Sequence, residues 1–172
     1  MFIQRETAEQ ADAIRAVTAA AFAHDDRPGE TPAEAVLVDE LRACDGWLPE
    51  LSLVALAGES VIGHVVCSRA TCGPSPVLGL GPLSVDPGHQ GRGVGQALVH
   101  AVLGAADALG EPLVILLGSP AYYSRFGFRL AREFGITPPD PRWREHFQAR
   151  ALTTYSPALR GSFKYAEPFD RV

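Results

Sequence analysis

The sequence predicts an α/β fold of the α+β kind, a sheet packed against helices, and three observations lead there. Apolar strand-like runs at 51–57 and 60–70 flank the turn pair Gly58-Glu59, which makes them adjacent antiparallel strands. Two segments with helical periodicity precede them. A third unit, strand, glycine-rich turn, helix and strand, runs from 77 to 117. With 172 residues and 47% hydrophobic content the chain suits one domain, residues 1–172, around one core.

In order, Phe2, Ile3, Gln4 and Arg5 alternate as a short strand. Thr7-x-x-Gln10 then has the pattern of a capping box, opening a helix with Ile14, Val17, Ala21 and Phe22 on one face. A charged, glycine-containing loop follows. Thr31-Pro32-x-Glu34 supplies a cap, a first-turn proline and a carboxylate, so a second helix carries Leu37, Leu41 and Cys44 inward until Gly46 stops it. After the 51–70 hairpin, 72–76 is a turn cluster and 77–85 a third run. Gly81-Pro82 lies inside it, where a ladder is expected to break and the strand to splay from a neighbour. Val94, Leu98, Val102, Ala105 and Leu109 share a helical face up to Gly110, and 112–117 is a buried strand. Ser119-Pro120 opens a short helix bearing Tyr122, Tyr123 and Phe126. Strands are expected at 128–131, 148–155 and 161–165, with prolines 138, 139 and 141 between.

The net charge of -5 and the lack of a basic run exclude the footprint of a nucleic-acid binder. No C-x-x-C or H-x-x-x-H spacing occurs, so no metal site is predicted, and cysteines 44, 67 and 72 read as reduced thiols. The chain opens on a strand rather than an export signal, and its apolar runs are far short of the ~20 residues that span a bilayer. A cytoplasmic protein without membrane partners is expected.

The chemistry concentrates in Leu83-Ser84-Val85-Asp86-Pro87-Gly88-His89-Gln90-Gly91-Arg92-Gly93-Val94-Gly95. Glycines clear space for backbone amides to close on an anion, and the helix that follows aims its positive end at the same point. A Walker motif is excluded, since the only lysine is Lys164, and the Rossmann spacing fails at Gln96. A purely structural turn stays open on this motif alone.

Gln90-Gly91-Arg92-Gly93-Val94-Gly95 after Leu83-x-Val85-x-Pro87 resembles the coenzyme-A motif of the GCN5-related N-acetyltransferases, the GNAT superfamily. Tyr123-Ser124-Arg125-Phe126-Gly127-Phe128 is similar to its later Tyr-x-x-x-Gly-Phe element, and residues 117–128 with Gly63-His64-Val65 resemble a bacterial subgroup of predicted acetyltransferases. The resemblance implies the GNAT fold, a mixed six- to seven-stranded sheet splayed between the fourth and fifth strands, with about four helices. It further implies acetyl-CoA as co-substrate, its pantetheine arm along Leu83, Ser84 and Val85. The pyrophosphate would sit at Gln90, Gly91, Arg92, Gly93, Val94 and Gly95, with Tyr123 and Phe126 beside the cofactor.

The implied reaction is direct attack of an amine on the thioester, with Tyr123 as the catalytic residue that hydrogen-bonds or protonates the leaving sulfur. A backbone N–H at Ser84 or Val85 is a candidate oxyanion donor. For the general base His64, Glu34, Glu40, Asp86 and a water chain are all considered, and none is assigned. Eight acids against two bases between 24 and 50 point to a cationic acceptor, a small molecule such as a polyamine, aminoglycoside or amino sugar, or a protein amine. A non-catalytic acyl-CoA-binding module of the same fold is the alternative, and a homodimer is one possible assembly.

Overall fold

Apolar runs become strands, and the periodic segments between them cross back over the two faces of the sheet. The computed structural model describes residues 1–172. Its order is β1 (Phe2–Arg5), α1 (Ala11–Ala21), α2 (Ala33–Arg42), β2 (Ser52–Ala57), β3 (Ser60–Cys72), β4 (Ser75–Val85), α3 (Val94–Ala108), β5 (Leu113–Leu117), α4 (Pro120–Tyr123), β6 (Arg129–Leu130), β7 (Ile136–Thr137), β8 (Phe147–Ala151) and β9 (Gly161–Lys164).

β1 to β4 form an antiparallel meander, β4 meets β5 in parallel, and β5 continues antiparallel to β8 and then β6. β9 pairs with the far end of β3 and with β7. On one face α3 buries Val94, Leu98 and Val102 against Leu53, Val65, Leu78 and Val114. On the other, α1 and α2 bring Ile14 and Val38 onto Val54, and Leu37 and Leu41 onto Val66.

The expected splay lies at the parallel seam. Only Leu78↔Val114 and Gly79↔Ile115 pair there, and beyond them β4 and β5 part. The β3–β4 register steps from Val65↔Leu83 to Cys67↔Leu80, so β4 carries one extra residue at Gly81-Pro82, a bulge that bends its outer end. Tyr165 spans the gap. Its ring packs on Gly79 of β4, and its hydroxyl lies beside the backbone of Leu117 in β5, whose N–H has no strand partner.

Several boundaries differ from the sequence reading for local reasons. The first turn after Thr7 is a 3-10 turn, with the Gln10 side chain accepting from the Thr7 N–H at 2.9 Å, and Phe22 caps α1 rather than lying in it. Pro32, with extended ψ, is the N-cap of α2, one residue later than Thr31, and Cys44 falls in the turn beyond the helix. The turn before β4 is confined to Gly73 and Pro74, because Pro76 sits where its missing N–H faces no strand. Leu109 is 51% exposed, since α3 outruns the sheet and buries Val99, Leu103 and Ala106 instead. Near the end, 128–131 is strand only at Arg129–Leu130, β8 stops at Ala151, and β7 carries too little pattern to be anticipated.

Candidate functional site

Two cavities open on the splay, sharing Phe22 and Leu83. The first, about 460 Å³, runs from Leu83 and Val85 to the loop entering α3 and is lined by Gln90, Gly91, Gly93, Val94 and Gly95. Gly91 and Gly93 have φ of +72° and +84°, which side-chain-bearing residues rarely adopt, and this turns successive amides to one side. The first amides of α3 add to them, because no intrahelical carbonyl is available to them.

Backbone direction along β4 follows from one bond. The Asp86 N–H donates to Ile62 at 2.9 Å, so alternation turns Ser84 toward His64 of β3 and leaves the amides and carbonyls of Leu83 and Val85 facing the splay. Gln90 Nε2 donates to the Val85 carbonyl at 3.1 Å. Ser84, 1% exposed, bonds Thr18 with its hydroxyl at 3.1 Å and lines neither cavity.

Phe126 also departs from expectation. It is buried against His100 and Tyr122, beneath the cavity rather than in it. Its neighbour Arg125 lines the wall instead, with its guanidinium 4.7 Å from the Tyr122 ring centroid. Neither Arg125 nor the exposed Arg92 is among the ion-paired arginines, so both charges are available to an anion. His89, Gln96, Ala21 and Phe22 complete the lining; adjacency to the glycine motif signalled the first two, and nothing in the sequence signalled the others.

The second cavity, about 310 Å³, lies beyond the bulge and is lined by Leu80, Pro82, Tyr123, Tyr165 and Glu34, among others. Tyr123 lies flat on Gly118, where an added Cβ would meet the ring at 2.5 Å, so glycine there fixes the orientation of the phenol. Burial pushes the Tyr123 hydroxyl up to about 12, and it is a proton donor at neutral pH.

The base candidates separate clearly. His64 is fully buried beneath the helices, with Nε2 at 2.8 Å from Ser52 Oγ and 3.2 Å from Glu6, and it reaches neither cavity. Burial lowers its basicity despite Glu6. Burial opposes ionisation of Glu6 too, but hydrogen bonds from His64, Arg42 and Ser52 outweigh it and hold that carboxyl at about 2. Asp86 caps its turn, accepting from Gly88 N–H and facing His89 Nδ1, both at 2.9 Å. Glu40 pairs with Arg171. Of the acids considered, only Glu34 lines either cavity on the splay.

A parallel seam parted over an amide cradle on one flank, with a phenol in an apolar cavity on the other, defines a protein that presents a nucleotide-borne group to a second substrate. The sequence model of the acetyltransferase (GNAT) family matches residues 18–128. The uncharacterized N-acetyltransferase YhbS of Escherichia coli K12 is 37% identical over 149 residues, 84% of this chain and 88% of that protein. YjhQ of the same strain, also an uncharacterized N-acetyltransferase, is 34% identical over 143 residues, 78% and 79% of the two. Among solved structures, E. coli YhbS in complex with CoA superposes with a TM-score of 0.88 over 99% of this chain and 92% of that one, at 33% identity. A GNAT acetyltransferase from Brucella melitensis in complex with acetyl-CoA gives 0.79 over 98% and 97%, also at 33%. The chain belongs to the acetyltransferase (GNAT) family.

Proposed function

We propose that the chain, as one catalytic domain in the cytoplasm, transfers the acetyl group of acetyl-CoA to the primary amine of a cationic acceptor. The amide cradle at the mouth of the parted seam carries this reading: it offers donors to a pyrophosphate from Gly91 to Gly95, with Arg125 on its wall and Arg92, on the exposed loop outside the lining, adding charge. The YhbS and Brucella relatives, with CoA and acetyl-CoA bound, support the choice of ligand.

The free edge of β4 at Leu83 and Val85 pairs the pantetheine arm as an added strand would, and the Val85 N–H replaces Ser84 as the candidate donor to the carbonyl oxygen. The amine, once deprotonated, attacks the thioester carbon. An N–C bond forms, the C–S bond breaks with its electron pair on sulfur, and Tyr123 hydrogen-bonds or protonates that sulfur while the nitrogen's proton leaves to water.

Calorimetric titration with acetyl-CoA, with ATP as control, tests the reading. Micromolar binding of acetyl-CoA without ATP binding is expected; absence of binding overturns it.

A further inference from the structure

Seven of the eight acids between residues 24 and 50 lie outside the second cavity, Asp25, Asp45 and Glu50 without an ion pair and the other four beside arginines. Asp39 pairs with Arg15 and Arg42, Glu40 with Arg171, and Asp26 and Glu30 face Arg27. Glu34 alone enters the cavity, from the first turn of α2, and it is the only charged side chain in the lining. The rest is largely apolar and aromatic, with Phe22, Tyr123, Trp143, Tyr165 and Phe169 contributing rings. These walls are braced: Tyr165 stacks on Phe169 at 4.3 Å and 21°, and Tyr123 packs edge-on to Phe128 at 5.8 Å.

We propose that this cavity selects a small monoamine with a flat apolar body, its ammonium held by Glu34 and its ring by the aromatic walls. The assignment rests on the acetyltransferase reading above and narrows its acceptor. One carboxylate neutralises one ammonium, and a second cationic group among these rings would be desolvated without a partner. Rigid aromatic faces match a planar body by offset or edge contacts. The volume, about 310 Å³, lies near the lower end of the roughly 300–1,000 Å³ typical of small-molecule sites and disfavours a multi-ring aminoglycoside.

The test begins with acetyl-CoA calorimetry, which judges the transferase reading by itself; no binding there removes both. With binding established, thiol release is followed for phenethylamine, tryptamine, spermidine, kanamycin and a lysine peptide. The two arylalkylamines are expected to have kcat/KM at least about tenfold above the others. Preference for spermidine, kanamycin or the peptide, or no release with the arylalkylamines, overturns the proposal and leaves the transferase reading standing. Glu34→Gln is expected to raise the KM for phenethylamine about tenfold or more and to keep that for acetyl-CoA within about twofold, with Glu34→Asp intermediate. Glu59→Gln, on the exposed β2–β3 turn, leaves both unchanged. An unchanged amine KM in Glu34→Gln overturns the role of the carboxylate.

Discussion

The two cavities that meet at Phe22 and Leu83 are built on opposite plans. The cofactor side draws most of its lining from one stretch, Leu83 to Gln96, and recognises its ligand mainly through backbone amides. The acceptor side gathers side chains from Phe22 at the end of α1, from α2 and β4, from Leu117 and Tyr123, and from residues 143 to 172, pieces far apart in sequence. Backbone recognition depends on the chain's path and tolerates side-chain variation; side-chain recognition does the reverse. Substitutions should therefore divide cleanly between those that change cofactor affinity and those that change turnover or acceptor choice.

The strongest attempt to break that division is Tyr123→Phe, in the wall of the second cavity. It should lower kcat about 100-fold or more while acetyl-CoA affinity by calorimetry stays within about twofold. A parallel loss of affinity would mean that the phenol serves the cofactor side as well. Next comes the buried support beneath both. Glu6, ordinarily near 4.5 and held at about 2, contributes stability that is full above 4.5 and lost as pH falls toward 2. The buried neutral His64 acts in the same sense below its ordinary value of 6.5. Denaturant unfolding from pH 7 to 3 should show falling stability with cofactor and acceptor binding lost together, and Glu6→Gln should flatten that profile.

A finer probe is Gly118→Ala, which displaces the Tyr123 ring and should cut kcat about tenfold with little change in acetyl-CoA affinity. The smallest effect is expected from Arg92→Ala: acetyl-CoA binding weaker by about threefold at low salt, a difference that shrinks as ionic strength rises. An equal loss at high salt would place the guanidinium in direct, desolvated contact.

Legibility in the sequence followed the same division. Positive-φ glycines, a strand-breaking Gly81-Pro82 and a helix start are local, so the cradle and the splay could be read from neighbouring residues. The orientation of β4 could not, because whether Ser84 or Val85 faces the gap depends on its register with β3. Phe126 was expected beside the cofactor and Arg125, given no role, lines the wall instead, for a similar reason: a short helix turns adjacent side chains to opposite sides, and packing against His100 decided which one was buried. His64 was one of several unassigned candidates for the base, and only the tertiary structure supplied Glu6 and Ser52 as its partners. The acidic excess was real in composition, but four of the eight acids pair with Arg15, Arg27, Arg42 and Arg171, Asp25, Asp45 and Glu50 lie elsewhere, and one carboxylate lines the cavity.

Tyr165 carries a cost for any attempt to redesign the acceptor. The ring that walls the second cavity also rests on Gly79, and its hydroxyl lies beside the Leu117 backbone across the gap. Trp143 and Phe169 wall the cavity and pack on buried clusters, but neither is set against Gly79 at the seam. Exchanging Tyr165 for a smaller residue widens the cavity and strips the parted seam of its cross-brace in the same step. Selectivity and robustness are thus entangled at this position, and a search for new acceptors would advance faster by fixing Tyr165 and randomising its neighbours.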